Sequence, residues 1–163
     1  MALKPGERVL VVGCGPVGMV LTLALSQKGI PVTLLERADG PIDDQRAAAI
    51  QPSSLEMLAD LGVVEEIHEK GLISPTFHYR DRMSGDLVAE FDFTQIADMT
   101  EFPYVIQYEQ FKLVKTIIAE IGDTPDVEYR FSCEVTDLEQ TGDGIKLTFN
   151  NQDGEKETLT SPW

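Results

Sequence analysis

The segment from residue 8 to residue 36 constrains the fold of this chain more than any other. A short apolar run, Arg-Val-Leu-Val-Val, leads into Gly-Cys-Gly-Pro-Val-Gly, a long apolar segment and a second run, Pro-Val-Thr-Leu-Leu-Glu. This order predicts a strand, a glycine turn, a helix and a second strand, with the first strand central in a parallel sheet. Pro16 suits the first turn of the helix, and Gly29 can end it.

The glycines of the turn fit the pattern G-x-G-x-x-G. Gly13, Gly15 and Gly18 supply it, and Glu36 follows 18 residues after the last of them. Between a strand and a helix this pattern is typical of a dinucleotide site: the first glycine permits the tight turn, the second admits a pyrophosphate and the third allows close packing of the helix. A carboxylate at residue 36 accepts hydrogen bonds from ribose hydroxyls and repels a 2′-phosphate, which favours FAD or NAD.

Charge and composition exclude several classes of function. The net charge of −15 argues against general affinity for nucleic acid or an anionic membrane, because such surfaces need clustered Lys and Arg. The amino terminus has no apolar signal core and no run is long enough to span a bilayer, so we expect a cytoplasmic protein. The two cysteines and two histidines show no metal-ligand spacing, and no metal site is predicted.

The rest of the chain mixes helical and strand patterns. Residues 37–51 are predicted as a loop. Helices are expected at 52–61, 63–70 and 108–121, a β-hairpin at 77–93, and strands at 127–131, 134–140, 145–149 and 155–160. The predicted fold class is therefore α/β: a Rossmann-like βαβ domain with an inserted β-hairpin and a closing antiparallel β-meander.

Four motifs in order resemble the class A flavoprotein monooxygenases, the family of para-hydroxybenzoate hydroxylase and phenol hydroxylase. They are Val-Val-Gly-Cys-Gly-Pro-Val-Gly, Leu-Leu-Glu-Arg, the segment that begins Gln-Arg-Ala-Ala-Ala-Ile-Gln-Pro, and Tyr-Val-Ile-Gln-Tyr-Glu-Gln-Phe. The resemblance implies a glutathione reductase-type fold, FAD as the cofactor, NADPH or NADH as co-substrate, and a small aromatic substrate hydroxylated with O2. It implies nothing about oligomeric state.

The resemblance also implies roles for individual residues, although no catalytic residue is identified. The expected FAD contacts are Gly13, Gly15, Pro16, Val17 and Gly18 at the pyrophosphate, Glu36 at the ribose, Arg37 at the adenosine region, Arg46 at a phosphate, Gln107 at the ribityl or phosphate region, and Val135 near the adenine. Three alternatives remain open. Arg46 could be a solvated loop cation paired with Asp43 or Asp44, Gln107 a helix cap, and Val135 a core residue.

The domain prediction follows the same resemblance. Residues 1–72 are expected to begin the FAD-binding domain, 73–103 to form a hairpin of the substrate-binding region, and 104–163 to return to the FAD-binding domain, incompletely. The later Asp-Gly and Gly-Asp motifs of the family do not occur here, so we expect a fragment truncated before the later strands. The alternatives are a noncatalytic nucleotide-binding remnant and an NAD-dependent Rossmann oxidoreductase. The hairpin aromatics Phe77, Tyr79, Phe91 and Phe93 are either core residues or a substrate-facing surface.

Overall fold

In the computed structural model, which describes residues 6–44 and 46–162, the helices and strands fall into two units. In chain order the elements are β1 (Val9–Val12), α1 (Pro16–Ser26), β2 (Val32–Leu35), β3 (Ala49–Ile50), α2 (Pro52–Asp60), α3 (Val64–Lys70), β4 (Leu72–Ser74), β5 (Thr76–Arg80), β6 (Leu87–Asp92), a 3₁₀ turn (Phe93–Ile96), β7 (Val105–Gln107), α4 (Gln110–Ile121), β8 (Val127–Arg130), β9 (Glu134–Thr141), β10 (Gly144–Asn150) and β11 (Lys156–Ser161). The first unit comprises residues 6–44 and 114–162, and the second comprises 46–113.

A parallel sheet of three strands organises the first unit. Its order is β1-β2-β8, with Val9 opposite Val32 and Val32 opposite Val127. Among the described residues β2 has a partner on each side and β1 lies at the edge, so within this sheet the prediction that β1 is the central strand is wrong. All four residues of β2 are buried, as expected of a strand that is covered by neighbours on both sides.

The last three strands of the first unit form an antiparallel meander in the order β9-β10-β11. The sequence grouped residues 127–131 with this run of strands, but the structure pairs β8 with β2 in the parallel sheet instead. A small buried cluster of Leu35, Cys133, Leu147 and Phe149 links the end of β2 to β10. The meander therefore packs beside the carboxyl end of β2, where the predicted ribose-binding residue follows.

Arg8 forms hydrogen bonds at the amino-terminal end of the parallel sheet. Its Nη2 donates to the carbonyl oxygens of Val32 and Asp126, each at 2.8 Å, and its Nε donates to Thr33 Oγ1 at 3.1 Å. The carboxylate of Glu128 lies 3.9 Å from the same Nε. One guanidinium thus satisfies acceptors on two neighbouring strands, which holds their amino-terminal ends in register.

The second unit is built around a short antiparallel sheet with β7 between β3 and β4. Its fully buried side chains include Leu55 of α2, Ile67 of α3 and Ile106 of β7. None of the three strands was predicted: residues 49–50 were placed in a loop, and β4 and β7 were not assigned. Strands of two or three residues carry too little pattern of their own to be recognised.

The hairpin region of the second unit contains the antiparallel pair β5–β6. Phe77, Tyr79 and Phe91 contact one another on it, with ring centroids 4.9 to 6.3 Å apart, and each is about half exposed. The interpretation of these three rings as core residues is therefore wrong for this chain. Phe93, expected to continue the second strand, instead begins the 3₁₀ turn, because Asp92 accepts a hydrogen bond from the Thr94 N–H and caps that turn.

Candidate functional site

The turn after β1 has the conformation that its first glycine permits. Gly13 has φ = +99°, a region that residues with a Cβ rarely adopt, and its N–H donates to the Leu35 carbonyl at 2.8 Å. The chain is thus reversed at the carboxyl end of β1 while it stays hydrogen-bonded to β2. The backbone leaves the sheet directly beside the residue that follows β2, Glu36.

The structure requires glycine at only one of the other two positions of the turn. A Cβ on Gly18 would overlap the carbonyl oxygen of Gly13 and lie 3.4 Å from a methyl group of Val11, so close packing of α1 on the sheet excludes any larger residue. Gly15 has an ordinary φ of −82°, and nothing lies within 4 Å of the position of its Cβ. Neither backbone conformation nor internal packing requires glycine at 15; the open space there suits the approach of a ligand from outside.

The amino terminus of α1 opens onto this space. Gly15 is the N-cap and has no side chain to accept a hydrogen bond, and Pro16, at the first helical position, has no N–H. The N–H groups of Val17 and Gly18 belong to the first turn, which has no acceptors within the helix. Such N–H groups together with the helix dipole bind anions, phosphates above all. The side chain of Val17 is 82% exposed beside them.

The carboxylate of Glu36 lies next to the turn. Its Oε2 accepts from the Cys14 N–H at 2.7 Å, and its Oε1 accepts from the Ala38 N–H at 3.0 Å. Each carboxylate oxygen has two lone pairs, so both keep acceptor capacity for a further donor such as a ribose hydroxyl. Arg37, the next residue, is exposed.

Cys14 is a buried residue of the turn, and its thiol is not poised to react. Burial, reinforced by the negative charge of Glu36, raises the pKa of the Cys14 thiol to about 11. Because the thiolate is the nucleophilic form, a thiol with this pKa stays protonated and inert at neutral pH. Cys14 therefore serves as a small packed residue of the turn.

Two predicted residues of the second unit line a single recess. Gln107 is the last residue of β7, where Ala49 and Leu72 are its partners on either side, and its side chain is exposed. It shares with Arg46 a recess of about 540 Å³. Lys70 and Lys112 line this recess as well, and neither of them was predicted from the sequence.

The structure brings the predicted residues together in two groups. In the first unit, residues 13–18 form the turn and the start of α1. Glu36 lies beside the turn, and Arg37 follows it. In the second unit, Arg46 and Gln107 share the recess. Val135 is partly buried and packs against the cluster that contains Leu35. Asp43, considered as a partner of Arg46, forms an ion pair with Lys115 at 2.7 Å.

Neither missed lysine had a strong signal in the sequence. Lys112 lies on the first turn of α4, five residues after Gln107, and this spacing could have linked the two. Lys70 ends α3 and reaches the recess only because β4 pairs with β7, a pairing that no local pattern predicts.

A strand, a G-x-G-x-x-G turn, a helix and an acidic residue at the end of the adjacent parallel strand define a dinucleotide-binding fold. Comparison with known proteins identifies the family: the chain belongs to the FAD binding domain family, which matches residues 7–163.

The proteins to which the chain is similar include several monooxygenases. The chain is 32% identical over 134 residues to para-nitrophenol 4-monooxygenase of Pseudomonas sp. strain WBC-3, covering 82% of this chain and 33% of that protein. It is 28% identical over 161 residues to 6-methylpretetramide 4-monooxygenase of Streptomyces rimosus, covering 97% and 28%. The crystal structure of p-nitrophenol 4-monooxygenase PnpA from Pseudomonas putida DLL-E4 superimposes with a TM-score of 0.88 at 30% identity, covering 96% and 39%. The chain thus spans about a third of the length of these relatives.

Within residues 6–44 and 46–162, no helix combines the length and the apolar character needed to cross a membrane. Over the same residues, no three His, Cys, Asp or Glu side chains are grouped so that they could hold a metal ion.

Proposed function

We propose that this chain is the FAD-binding portion of a monooxygenase that hydroxylates an aromatic substrate with NAD(P)H and O2. The observation that carries the proposal is Gly15, which neither its φ nor its neighbours require and which leaves open space at the start of α1. A pyrophosphate that approaches the backbone closely explains a glycine in this position. The match to the FAD binding domain family favours FAD over NAD as the dinucleotide.

The residues of the turn fit the adenosine diphosphate part of FAD. The Val17 and Gly18 N–H groups would bind the pyrophosphate, Glu36 would accept the ribose hydroxyls, and Arg37 would lie near the adenosine. Arg46 would bind a phosphate and Gln107 the ribityl or phosphate region. Val135 is the weakest of these assignments, because its packing against buried residues accounts for it without the adenine.

Bound FAD would supply the redox chemistry: it accepts a hydride from NAD(P)H and, with O2, delivers a hydroxyl group to the aromatic ring. The residues of this chain would hold and orient the cofactor. We further infer that the fold is of the glutathione reductase type, that residues 1–72 and 104–163 belong to the FAD-binding domain, and that the hairpin of residues 73–103 belongs to a substrate-binding region. The names of the relatives support an aromatic substrate.

Titration of the chain with FAD, followed by quenching of flavin fluorescence, tests the cofactor assignment. We expect FAD to bind more tightly than NAD, and Glu36→Gln to weaken FAD binding about tenfold because charge-assisted hydrogen bonds to the ribose are lost. Glu139→Gln, the same change at an exposed position of β9, is the control and should leave the affinity within about twofold. Tighter binding of NAD than of FAD, lost in Glu36→Gln, would support the NAD-dependent oxidoreductase instead.

The hydroxylation reaction is tested on the longer parent protein with a panel of phenols. A monooxygenase oxidises NAD(P)H faster in the presence of its aromatic substrate and produces a hydroxylated ring. A parent protein that binds FAD and yet oxidises no NAD(P)H with any phenol would favour the noncatalytic alternative.

A further inference from the structure

The recess that contains Arg46 and Gln107 is positively charged in a chain that is strongly negative. The whole sequence has 13 Lys and Arg against 28 Asp and Glu. Among its described lining residues, the recess has three cations, Arg46, Lys70 and Lys112, and one carboxylate, that of Glu109. We call it the cationic recess. Like charges repel one another, so three cations gathered at one concave site favour an anionic ligand.

Backbone hydrogen bonds hold the parts of the cationic recess together. The Tyr108 N–H donates to the Ala48 carbonyl at 2.8 Å, and the Gln110 N–H donates to the Ala47 carbonyl at 3.0 Å. These bonds fix residues 46–48 beside the start of α4. The first turn of α4 contains Lys112, and the positive end of the helix dipole adds to the attraction for an anion.

The position of Lys70 at the recess depends on the close packing of the next residue, Gly71, against β7. Lys70 ends α3, and Gly71 follows at a place where a Cβ would overlap the Ile106 side chain and lie 2.6 Å from the Ile67 carbonyl oxygen. The backbone of residues 70–72 therefore runs directly against β7, whose last residue is Gln107. The position of Lys70 is set by this packing and not by its own side chain.

Both lysines can exchange their present partners for an anion. Lys112 pairs with Glu109 at 2.7 Å and Lys70 with Glu66 at 2.6 Å, and the two lysine side chains are 42% and 57% exposed. Ion pairs with this exposure contribute little to stability, because solvent and salt screen them. Each phosphoryl group of a dinucleotide diphosphate carries one negative charge and two non-bridging oxygens, so the two linked groups together can accept hydrogen bonds from both ammonium groups. A terminal 2′-phosphate carries more charge and three such oxygens.

We propose that Lys70 and Lys112, together with Arg46, form a phosphoryl-binding site of this protein. The proposal rests on the proposed function only for the role of Arg46; nothing in that function assigns the two lysines. The ligand is a phosphoryl group of a dinucleotide, and its source is either the diphosphate of FAD or the phosphate groups of the nicotinamide co-substrate.

Inorganic diphosphate is the probe for the first experiment, with binding measured by calorimetry and mapped by the shifts of backbone amide resonances. We expect shifts at residues 46–48, 70–72 and 107–112, and a loss of affinity at this site of at least about fivefold in Lys112→Gln and in Lys70→Gln. Lys115→Gln is the matched control, because Lys115 lies one turn further along α4 and pairs with Asp43. Equal effects of Lys112→Gln and Lys115→Gln would overturn the proposal.

Glu109→Gln gives a result of opposite sign. The substitution removes the negative charge of Glu109, which competes with an anion for Lys112. Diphosphate should therefore bind about twofold to fivefold more tightly. If the Lys112–Glu109 pair had only a structural role, Lys112→Gln and Glu109→Gln would both destabilise the fold, and neither would strengthen diphosphate binding. Thermal unfolding of each variant accompanies the titrations, and unchanged or weaker binding in Glu109→Gln would count against the site.

Competition identifies the source of the phosphoryl group. Displacement of diphosphate from the recess by FAD alone assigns the FAD diphosphate, and displacement by NADPH but not by NADH assigns the 2′-phosphate of NADPH. Displacement by none of the three would mean an adventitious anion only and would overturn the proposal. The chain could fail to bind FAD while Lys112→Gln still lowers the affinity for diphosphate. That result would overturn the proposed function alone. Normal FAD binding with no effect of either lysine variant would overturn only the cationic recess.

Discussion

At the scale of single residues, the physical reason for glycine differs among the three positions of the turn. Gly13 needs a positive φ, Gly18 needs the absence of a Cβ against the Gly13 carbonyl, and Gly15 needs neither. Substitution by alanine at residues 15 and 18 therefore separates the effects on ligand binding and on folding within one motif.

We expect Gly15→Ala to leave the free energy of unfolding within about 1 kcal/mol, because its φ suits alanine and its Cβ meets no neighbour. The same change should weaken FAD binding at least about tenfold, because the methyl group occupies the space of the pyrophosphate. Gly18→Ala should instead destabilise the chain by about 1 to 3 kcal/mol through overpacking. Thermal unfolding and FAD titration measure the two effects. Normal FAD binding by the Gly15→Ala variant would contradict the inference from Gly15 on which the proposed function depends.

At the scale of secondary-structure elements, β8 contains a polar atom that is buried without a partner. The Tyr129 hydroxyl has no hydrogen bond within the described part of the chain. Removal of a buried, unsatisfied hydroxyl relieves its desolvation cost, so Tyr129→Phe should stabilise the protein by about 1 kcal/mol in denaturant unfolding. Tyr104→Phe is the matched contrast and should destabilise, because the Tyr104 hydroxyl lies 3.0 Å from His68 Nε2. Equal effects of the two changes would contradict this account of β8.

The same hydroxyl gives β8 a pH dependence. Burial, with a smaller effect of Cys14, raises the pKa of Tyr129 from 10.0 to about 12. The folded state holds this proton more tightly than the unfolded state does, so the free energy of unfolding does not change with this group below pH 10 and falls as the pH rises through 12. Tyr129→Phe should therefore reduce the fall in stability over this alkaline range.

Elements with their own periodicity were predictable, and elements defined by a distant partner were not. The sequence identified β1, α1 and β2 because apolar runs and glycines mark each boundary within one segment. It missed β3, β4 and β7, which become a sheet only when Ala49 and Leu72 meet Gln107. It also misjudged the order of the parallel sheet, since the pairing of β2 with β8 joins residues 95 positions apart, such as Val32 and Val127.

At the scale of the whole molecule, the candidate site was predictable where it is local. Glu36 and the glycines lie within one βαβ unit, so their spacing alone implies a shared site. Arg46 and Gln107 were assigned from resemblance, and their common recess depends on the sheet around β7. Lys70 and Lys112 depend on that same sheet and on the start of α4. Composition gave the net charge of −15 but not the local concentration of cations at one recess.

This chain spans only part of the length of its relatives. It covers 33% of one monooxygenase and 28% of another, and the family resemblance implies that later motifs contact the rest of FAD. Because binding energy is distributed over all contacts of a ligand, we expect the 163-residue chain to bind FAD weakly and to show no substrate-dependent oxidation of NADPH. Flavin absorbance after gel filtration and NADPH consumption with a phenol measure the two properties. Stoichiometric flavin with substrate-dependent turnover would mean that these 163 residues already contain a complete active site.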